Sequence, residues 1–176
     1  MMDYKRINKA KKFGAEKHRG QKRKFGGKPY FTHPSNVASM VAKYTQDEEL
    51  IIAAYLHDTI EDTETTFEEI LKEFGKRVTV LVKELTSDKS KYSKLNKGDY
   101  LLKKMNKMSD EALLIKLCDR LDNISGHPNE PDKFVRIYME QTEYILNNLE
   151  RNLTLIHKEI IKMIQDKLKK IQKKLK

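Results

Sequence analysis

The sequence predicts an all-α protein, and three observations carry that prediction. Apolar residues recur at helical spacing along most of the 176 residues. No run of alternating β-branched residues is long enough to indicate a sheet. Several of the periodic segments begin at a residue that commonly caps a helix. No long linker divides these segments, so a single helical domain over residues 1–176 is expected.

The sequence predicts nine helices. They are expected at about 4–18, 34–44, 47–60, 66–73, 75–86, 92–106, 109–125 and 132–150, with a final helix from about 152. Asp47 precedes EELIIAAYL and Ser109 precedes DEALLIKL, so each can cap a helix N-terminus. Pro34 falls in a first turn, where its missing N–H costs nothing, and Asp132 follows Pro131 at another start.

Three segments depart from the regular helical pattern. The glycines, proline and positive charge of GQKRKFGGKPYF, residues 20–31, predict an ordered loop between two helices. The two prolines of GHPNEP, residues 126–131, predict a second break. The tail HKEIIKMIQDKLKKIQKKLK keeps helical spacing but carries many lysines, so a basic helix that frays at its end is expected over about 152–176.

Composition narrows the class of protein. Charged residues make up 35% of the chain and the formal net charge is +10, which suits nucleic acid, an anionic membrane surface or a phosphorylated small molecule. The single cysteine, Cys118, excludes an internal disulfide. The N-terminus lacks the apolar core of a signal peptide, and no apolar run approaches the length of a membrane span. A soluble cytoplasmic protein is therefore expected.

A cluster of acids and a histidine ends the apolar run AAYLHDTIEDT. In a continuous helix, His57 and Glu61 would share one column, and Asp58 and Asp62 would share the next. Grouping these side chains costs repulsion and desolvation unless a positive charge offsets it. A divalent metal would do so with nitrogen and oxygen ligands, and the remaining acids could orient or deprotonate a water.

The same cluster has a purely structural alternative. A His-Asp pair arises easily by chance in a chain of this composition. Asp62 could merely cap the next helix, which opens near TFEEI, and Glu61 could simply be solvated. The residues alone therefore leave a metal site and an accidental cluster as two open interpretations.

Two further stretches supply candidate ligands. His33, in YFTHPSNVA, suits a capping or packing role when taken alone. Asp119 interrupts the apolar run ALLIKLCDRLDNI, where an unpaired carboxylate is expensive to bury. The structural alternative is an ion pair with Lys116 or Arg120, neither of which is expected on its helical face. Asn123, one turn later, is expected on that face.

Three ordered motifs carry a resemblance to a known family. They read H-x-G-Q-x-R-K…P-Y…H-P…V-A, then L-H-D-T-I-E-D-T, then I-K-L-C-D-R-L-D-N. Together they resemble the HD-superfamily hydrolase domain of the RelA/SpoT homologues, which degrades the alarmone (p)ppGpp. The resemblance spans about residues 5–150 and implies a single HD-domain helical bundle. No synthetase domain is seen after it, so the chain is most similar to the small alarmone hydrolases.

The resemblance implies a metal site and an acidic pair. The four protein ligands of a single ion, usually manganese in this family, are matched by His33, His57, Asp58 and Asp119. The pair that positions and activates the attacking water is matched by Glu61 and Asp62. Residues expected beside the nucleotide or its phosphates are Arg23, Lys24, Tyr30, Lys89, Lys94 and Asn123.

Two positions depart from the family pattern L-A-D-R-L-H-N. Cys118 is a small apolar substitution that is expected only to pack. Asp122 adds negative charge near Asn123, which could alter how the substrate is held, or it could simply be exposed. The hydrolytic motif itself is intact, so an active enzyme is expected.

The implied reaction removes pyrophosphate from the ribose 3′ position of ppGpp or pppGpp and leaves GDP or GTP. The metal would lower the pKa of a bound water, Glu61 or Asp62 would accept its proton, and the basic loop at 22–28 would neutralise phosphate. The expected partners are a guanine nucleotide and one Mn²⁺ or similar ion. No stable nucleic-acid complex and no membrane are expected, and self-association is left open.

Two other functions compete with this interpretation. One keeps the metal but changes the substrate to another nucleotide, such as 2′-phosphorylated NADPH or a deoxynucleotide. The other is a basic helical protein that binds nucleic acid, which explains the charge but leaves the histidine and acid cluster unexplained.

Overall fold

The structure, a computed structural model, describes residues 4–24, 26–93, 96–125 and 133–174. In these ranges every regular element is a helix, and the only β-type pairing among them is an isolated bridge between Lys22 and Pro29. The all-α prediction is therefore confirmed. The chain forms two compact units, one ending at Ser87 and the other beginning at Asp88.

The first unit is organised around its third helix. Its helices are α1 (Tyr4–Lys17), α2 (Thr32–Val41), α3 (Glu48–Leu56), α4 (Thr59–Asp62), α5 (Phe67–Phe74) and α6 (Lys76–Leu85). Helix α3 packs against α1, α2 and α6. Because it has neighbours on several sides, every residue from Leu50 to Leu56 is buried, which explains why this segment is apolar all round.

The start of α3 is fixed by Asp47. Its carboxylate accepts hydrogen bonds from the N–H groups of Glu49 and Leu50, at 3.0 and 3.2 Å, as its N-cap position predicts. The guanidinium of Arg77, in α6, donates to both oxygens of the same carboxylate, at 2.9 and 2.6 Å. This contact holds the pKa of Asp47 below its usual range. The cap and the ion pair together fix α3 against α6.

The end of α3 differs from the prediction. A helix over 47–60 was expected, but α3 ends at Leu56 and the one-turn helix α4 follows. The Thr59 hydroxyl donates to the Leu56 carbonyl at 2.7 Å and so competes with the regular backbone pattern. The helix is therefore interrupted at His57 and Asp58. Asp58 and Asp62 still lie one helical turn apart as expected, since the Asp62 N–H donates to the Asp58 carbonyl at 3.0 Å.

The second unit contains a 3₁₀ turn and four further helices within its described residues. These are Lys89–Lys91, then α7 (Lys97–Lys107), α8 (Asp110–Ser125), α9 (Lys133–Asn147) and α10 (Leu155–Lys174). Helix α10 packs against α8 and α9, and α7 packs against α9. The predicted cap Ser109 is confirmed, since its hydroxyl accepts from the Ala112 N–H at 3.1 Å. The expected break at 126–131 and the expected cap Asp132 lie outside the described residues.

No helix within the described ranges is long and apolar enough to cross a membrane.

Candidate functional site

His57, at the C-terminus of α3, has a defined tautomer. Its side chain is buried, and Nδ1 lies 2.8 Å from the carbonyl oxygen of Ala54. A carbonyl oxygen only accepts, so Nδ1 carries the hydrogen in this contact and Nε2 presents its lone pair. Nε2 in turn lies 3.1 Å from Oδ2 of Asp58. A backbone carbonyl that fixes the far nitrogen is the usual support for a metal-binding histidine.

Two other side chains converge on that nitrogen. His33 lies in the first turn of α2, and its ring packs edge-on against His57 with centroids 5.2 Å apart. Its Nε2 is 3.5 Å from Oδ2 of Asp58. One ligand atom from each of His33, His57 and Asp58 lies within 4.8 Å of the others. Two imidazole nitrogens and a carboxylate oxygen fit a divalent ion, so this group could hold one.

Tyr30 links the candidate ligands to the acidic pair. Its hydroxyl lies 2.8 Å from Oδ2 of Asp58 and 3.1 Å from Oδ2 of Asp62. The ring also packs against His33, with centroids 6.0 Å apart. Tyr30 was expected beside the substrate, and that role stays a prediction. In the structure its single hydroxyl hydrogen faces one oxygen of each acid, so Tyr30 also bridges Asp58 and Asp62.

Glu61 and Asp62 lie in the short turn of α4. Glu61 is half-buried and its carboxylate accepts the backbone N–H of Ser87, so the alternative of a merely solvated Glu61 is wrong. Asp62 is exposed, and its backbone carbonyl accepts from the side-chain amide of Gln21 at 2.7 Å. It does not cap the next helix, because Thr66 is the N-cap of α5.

Asp119 lies in the second unit, buried within α8. The ammonium group of Lys116 is 2.7 Å from Oδ2, and the amide of Asn123 donates to Oδ1 at 2.6 Å. The expectation that Lys116 would not share its face is wrong, because residues three apart on an α-helix are neighbours. Asp122 is also buried, which contradicts the alternative that it is exposed. The ligand role of Asp119 and the nucleotide contact of Asn123 stay predictions.

Of the basic residues predicted to bind the substrate, three lie within the described residues. Arg23 is half-buried, and its N–H donates to the Lys28 carbonyl at 2.8 Å. Lys24 is exposed, and Lys89 is exposed in the 3₁₀ turn of the second unit. Lys94 lies outside the described residues.

Two residues of the first unit had no predicted role. Gln21 holds the backbone of Asp62, and Ser87 holds the Glu61 carboxylate. Gln21 stands in the quoted motif H-x-G-Q, so it left a signal in the sequence. Nothing in the pattern around Ser87 indicates its contact.

Sequence comparisons identify relatives. The HD domain family matches residues 10–153. A guanosine-3′,5′-bis(diphosphate) 3′-pyrophosphohydrolase from Aquifex aeolicus is 48% identical over 120 residues, which cover 67% of this chain and 17% of that protein. A protein of the same enzyme name from Xenopus tropicalis is 41% identical over 121 residues, covering 67% of each chain. The chain thus spans less than a fifth of the first relative and two thirds of the second.

Structural comparison agrees with these relatives. A solved structure of a metazoan orthologue of SpoT, which hydrolyses ppGpp and plays a role in starvation responses, superimposes with a TM-score of 0.78 at 30% identity. The match covers 92% of this chain and 94% of that one. A Listeria monocytogenes protein matches with a TM-score of 0.64 at 26% identity, covering 81% and 99%. The resemblance carried by the three motifs is confirmed, and the chain belongs to the HD domain family.

Proposed function

We propose that this chain is a metal-dependent hydrolase that removes pyrophosphate from the ribose 3′ position of ppGpp or pppGpp, leaving GDP or GTP. The observation that carries the proposal is the convergence of the buried His33 and His57 with the half-buried Asp58, which Tyr30 joins to Asp62. Family membership supports it, because relatives are named for this reaction.

The proposed ion is a single Mn²⁺, held by the three clustered ligands together with Asp119. A divalent cation bound there supplies Lewis acidity to a phosphate oxygen and to the attacking water. The tautomer of His57 suits this role, since its Nδ1 hydrogen is committed to Ala54 and its Nε2 is the ligand atom. Asp119 has capacity for a cation beside its two described partners, because a carboxylate offers about four lone-pair sites.

The proton of the attacking water goes to Glu61 or to Asp62 in this proposal. A general base must be held within hydrogen-bond reach of that proton. The Ser87 N–H fixes one oxygen of Glu61, and the Tyr30 hydroxyl fixes one oxygen of Asp62. Each acid therefore has an oxygen oriented by the protein. We propose Glu61 as the first choice because it is half-buried, where water is more easily excluded.

The substrate is proposed to bind through basic side chains. Arg23 is suited to bidentate contact with phosphate, and the next residue, Lys24, adds a second positive charge. Further contacts are proposed from Tyr30, Lys89, Lys94 and Asn123. A net charge of +10 favours a polyanionic ligand over a neutral one.

The test is hydrolysis of a nucleotide panel in the presence of Mn²⁺. The panel contains ppGpp, pppGpp, NADPH, a deoxynucleoside triphosphate and GTP, and the products are separated and identified. We expect intact pyrophosphate and GDP from ppGpp, with the Asp58→Ala protein and a chelator-treated sample as controls. Stepwise release of two orthophosphates would contradict the proposed bond cleavage, and turnover of only another nucleotide would contradict the proposed substrate.

A further inference from the structure

A buried histidine outside the candidate metal group lies beside Tyr30. His18 follows the end of α1 and is only 2% exposed. Its ring packs against Tyr30, with centroids 4.9 Å apart, and against Phe31 at 6.4 Å. The face of His18 therefore supports the tyrosine whose hydroxyl orients Asp58 and Asp62.

A chain of hydrogen bonds fixes the orientation of this histidine. The carbonyl of Asp62 only accepts, so the Gln21 atom 2.7 Å away is the amide nitrogen. The amide oxygen of Gln21 then faces Nδ1 of His18 at 2.8 Å. Because that oxygen only accepts, Nδ1 must be the donor. His18 is thereby held with its hydrogen on Nδ1.

The two ring nitrogens of His18 differ in their contacts. Nε2 of His18 is buried and has no hydrogen-bond partner among the described residues. A buried polar atom without a partner is unfavourable, and an apolar ring could pack against Tyr30 without that penalty. What a histidine adds over such a ring is the bond to Gln21.

We propose that His18 and Gln21 form a relay that positions the acidic turn for hydrolysis, with His18 in its Nδ1–H form. The relay reaches Asp62 by two routes. Gln21 holds its backbone carbonyl, and His18 supports Tyr30, which holds its carboxylate. Both are positioning residues, because they act through Asp62 and Tyr30. The catalytic part of this inference rests on the proposed function, whereas the tautomer does not.

Two substitutions of Gln21 separate its two bonds. Gln21→Met removes both, and Gln21→Glu keeps an acceptor for His18 while removing the donor to Asp62. Gln21 is half-buried, so both variants are expected to fold. The matched control is Gln172→Met in α10, which removes another amide hydrogen bond, to Glu143 at 3.3 Å.

The kinetic experiment measures kcat and KM for ppGpp separately. We expect both Gln21 variants to lower kcat by roughly 10-fold to 100-fold, the cost typical of a small misplacement in an active site. KM and Mn²⁺ affinity should stay within about twofold of the wild type, because neither bond involves the ion or the nucleotide. Gln172→Met should leave all three unchanged. An unchanged kcat in either Gln21 variant, or a change in KM alone, would overturn the positioning role.

The second readout is the tautomer of His18, measured by nitrogen-15 NMR of its ring. We expect Nδ1–H in the wild type and in Gln21→Glu, and loss of that single form in Gln21→Met. An Nε2–H ring in the wild type would overturn the relay whatever the substrate. If the wild type does not hydrolyse ppGpp at all, the proposed function fails and the NMR result alone decides the relay.

Discussion

The buried histidines of the two units are held in opposite ways. In the first unit, His57 donates from Nδ1 to a backbone carbonyl and turns Nε2 towards Asp58 and His33. In the second unit, Nε2 of His157 lies 2.9 Å from the Asp110 carbonyl, and Nδ1 accepts from the Thr154 N–H at 3.3 Å. The His57 ring turns one nitrogen towards the other candidate metal ligands, whereas both nitrogens of His157 are hydrogen-bonded to the backbone. Burial alone therefore does not distinguish a ligand from a structural brace.

The half-buried Asp58 and the buried Asp119 show a parallel difference. Asp58 is approached by two imidazole nitrogens and a phenol, which are neutral groups unless a histidine takes up a proton. Asp119 is approached by the permanent charge of Lys116 and by an amide. The first unit thus carries a donor set that a cation would complete, and the second unit supplies a cation of its own. The following predictions test this difference.

The largest effect expected is that of the proposed metal, three of whose four proposed ligands lie in the first unit. Mn²⁺ at about 100 times its dissociation constant should raise the free energy of unfolding by roughly 2.7 kcal/mol, because only the folded site binds it. Asp58→Ala should abolish both this increment and ppGpp hydrolysis. Calorimetry with and without chelator measures it.

The matched control for that experiment is His157→Gln in the second unit. Without metal, this variant should have a lower free energy of unfolding than the wild type, because His157 makes two hydrogen bonds to the backbone. The increase in that free energy on adding Mn²⁺ should be the same as in the wild type. Loss of the increment in His157→Gln would show that the two kinds of histidine have been assigned wrongly, and its survival in Asp58→Ala would contradict the ligand role of Asp58.

The next effect concerns catalysis without loss of the ion. Glu61→Gln keeps the shape of the side chain but removes the proton acceptor, so kcat should fall by roughly 100-fold to 10,000-fold. Mn²⁺ affinity should be preserved, because Glu61 is not among the three clustered ligands. Titration calorimetry and steady-state kinetics measure the two quantities. A normal rate in this variant would transfer the role of base to Asp62 or to another group.

The sequence predicted the local parts of this arrangement and missed the distant ones. Helical periodicity is local, so the helices were found, whereas the end of α3 at Leu56 depends on the competing hydroxyl of Thr59. His57 and Asp58 are adjacent and were grouped from the residues alone. His33 joined them only through the family resemblance, because the fold brings it there.

The unpredicted contacts divide into two kinds. Gln21 contacts Asp62, 41 residues later in the chain, and Ser87 contacts Glu61, 26 residues earlier. Helical periodicity relates only residues a few positions apart, so it cannot predict such contacts. Lys116 and Asp119 are three residues apart, and here the helical face was assigned wrongly although the spacing was sufficient. Two compact units were not expected either, and the single domain over the whole chain stays a prediction.

A smaller effect is expected when the charge of Lys116, the ion-pair partner of Asp119 in the second unit, is removed. Lys116→Met keeps the length of the side chain but leaves the buried Asp119 with one charged partner fewer. We expect the free energy of unfolding to fall by about 1–3 kcal/mol, the usual cost of a buried polar group that loses a partner. Urea unfolding measures it, with the exposed Lys158→Met in α10 as the control. Equal stability of the two variants would mean that Asp119 does not depend on Lys116.

The smallest effect expected is a pH dependence that belongs to His157. Burial lowers the pKa of this ring below its ordinary value near 6.5, and the nearby Arg151 lowers it further, although Asp110 acts in the opposite direction. The unfolded chain therefore binds the proton more readily than the folded one, and stability should fall as the pH drops below about 6.5. A proton on Nδ1 would also remove the acceptor for the Thr154 N–H.

The measurement is the free energy of unfolding of the wild type minus that of His157→Gln, at several pH values from 8 to 5 with chelator present. Subtraction removes the contributions that the other histidines make equally to both proteins. The difference should be largest at the alkaline end and should shrink through the window below the ordinary histidine pKa. A difference that grew on acidification would mean that His157 gains a charged hydrogen bond in the folded protein. In that case it would not be a neutral brace, and the contrast with His57 would have to rest on ligand geometry alone.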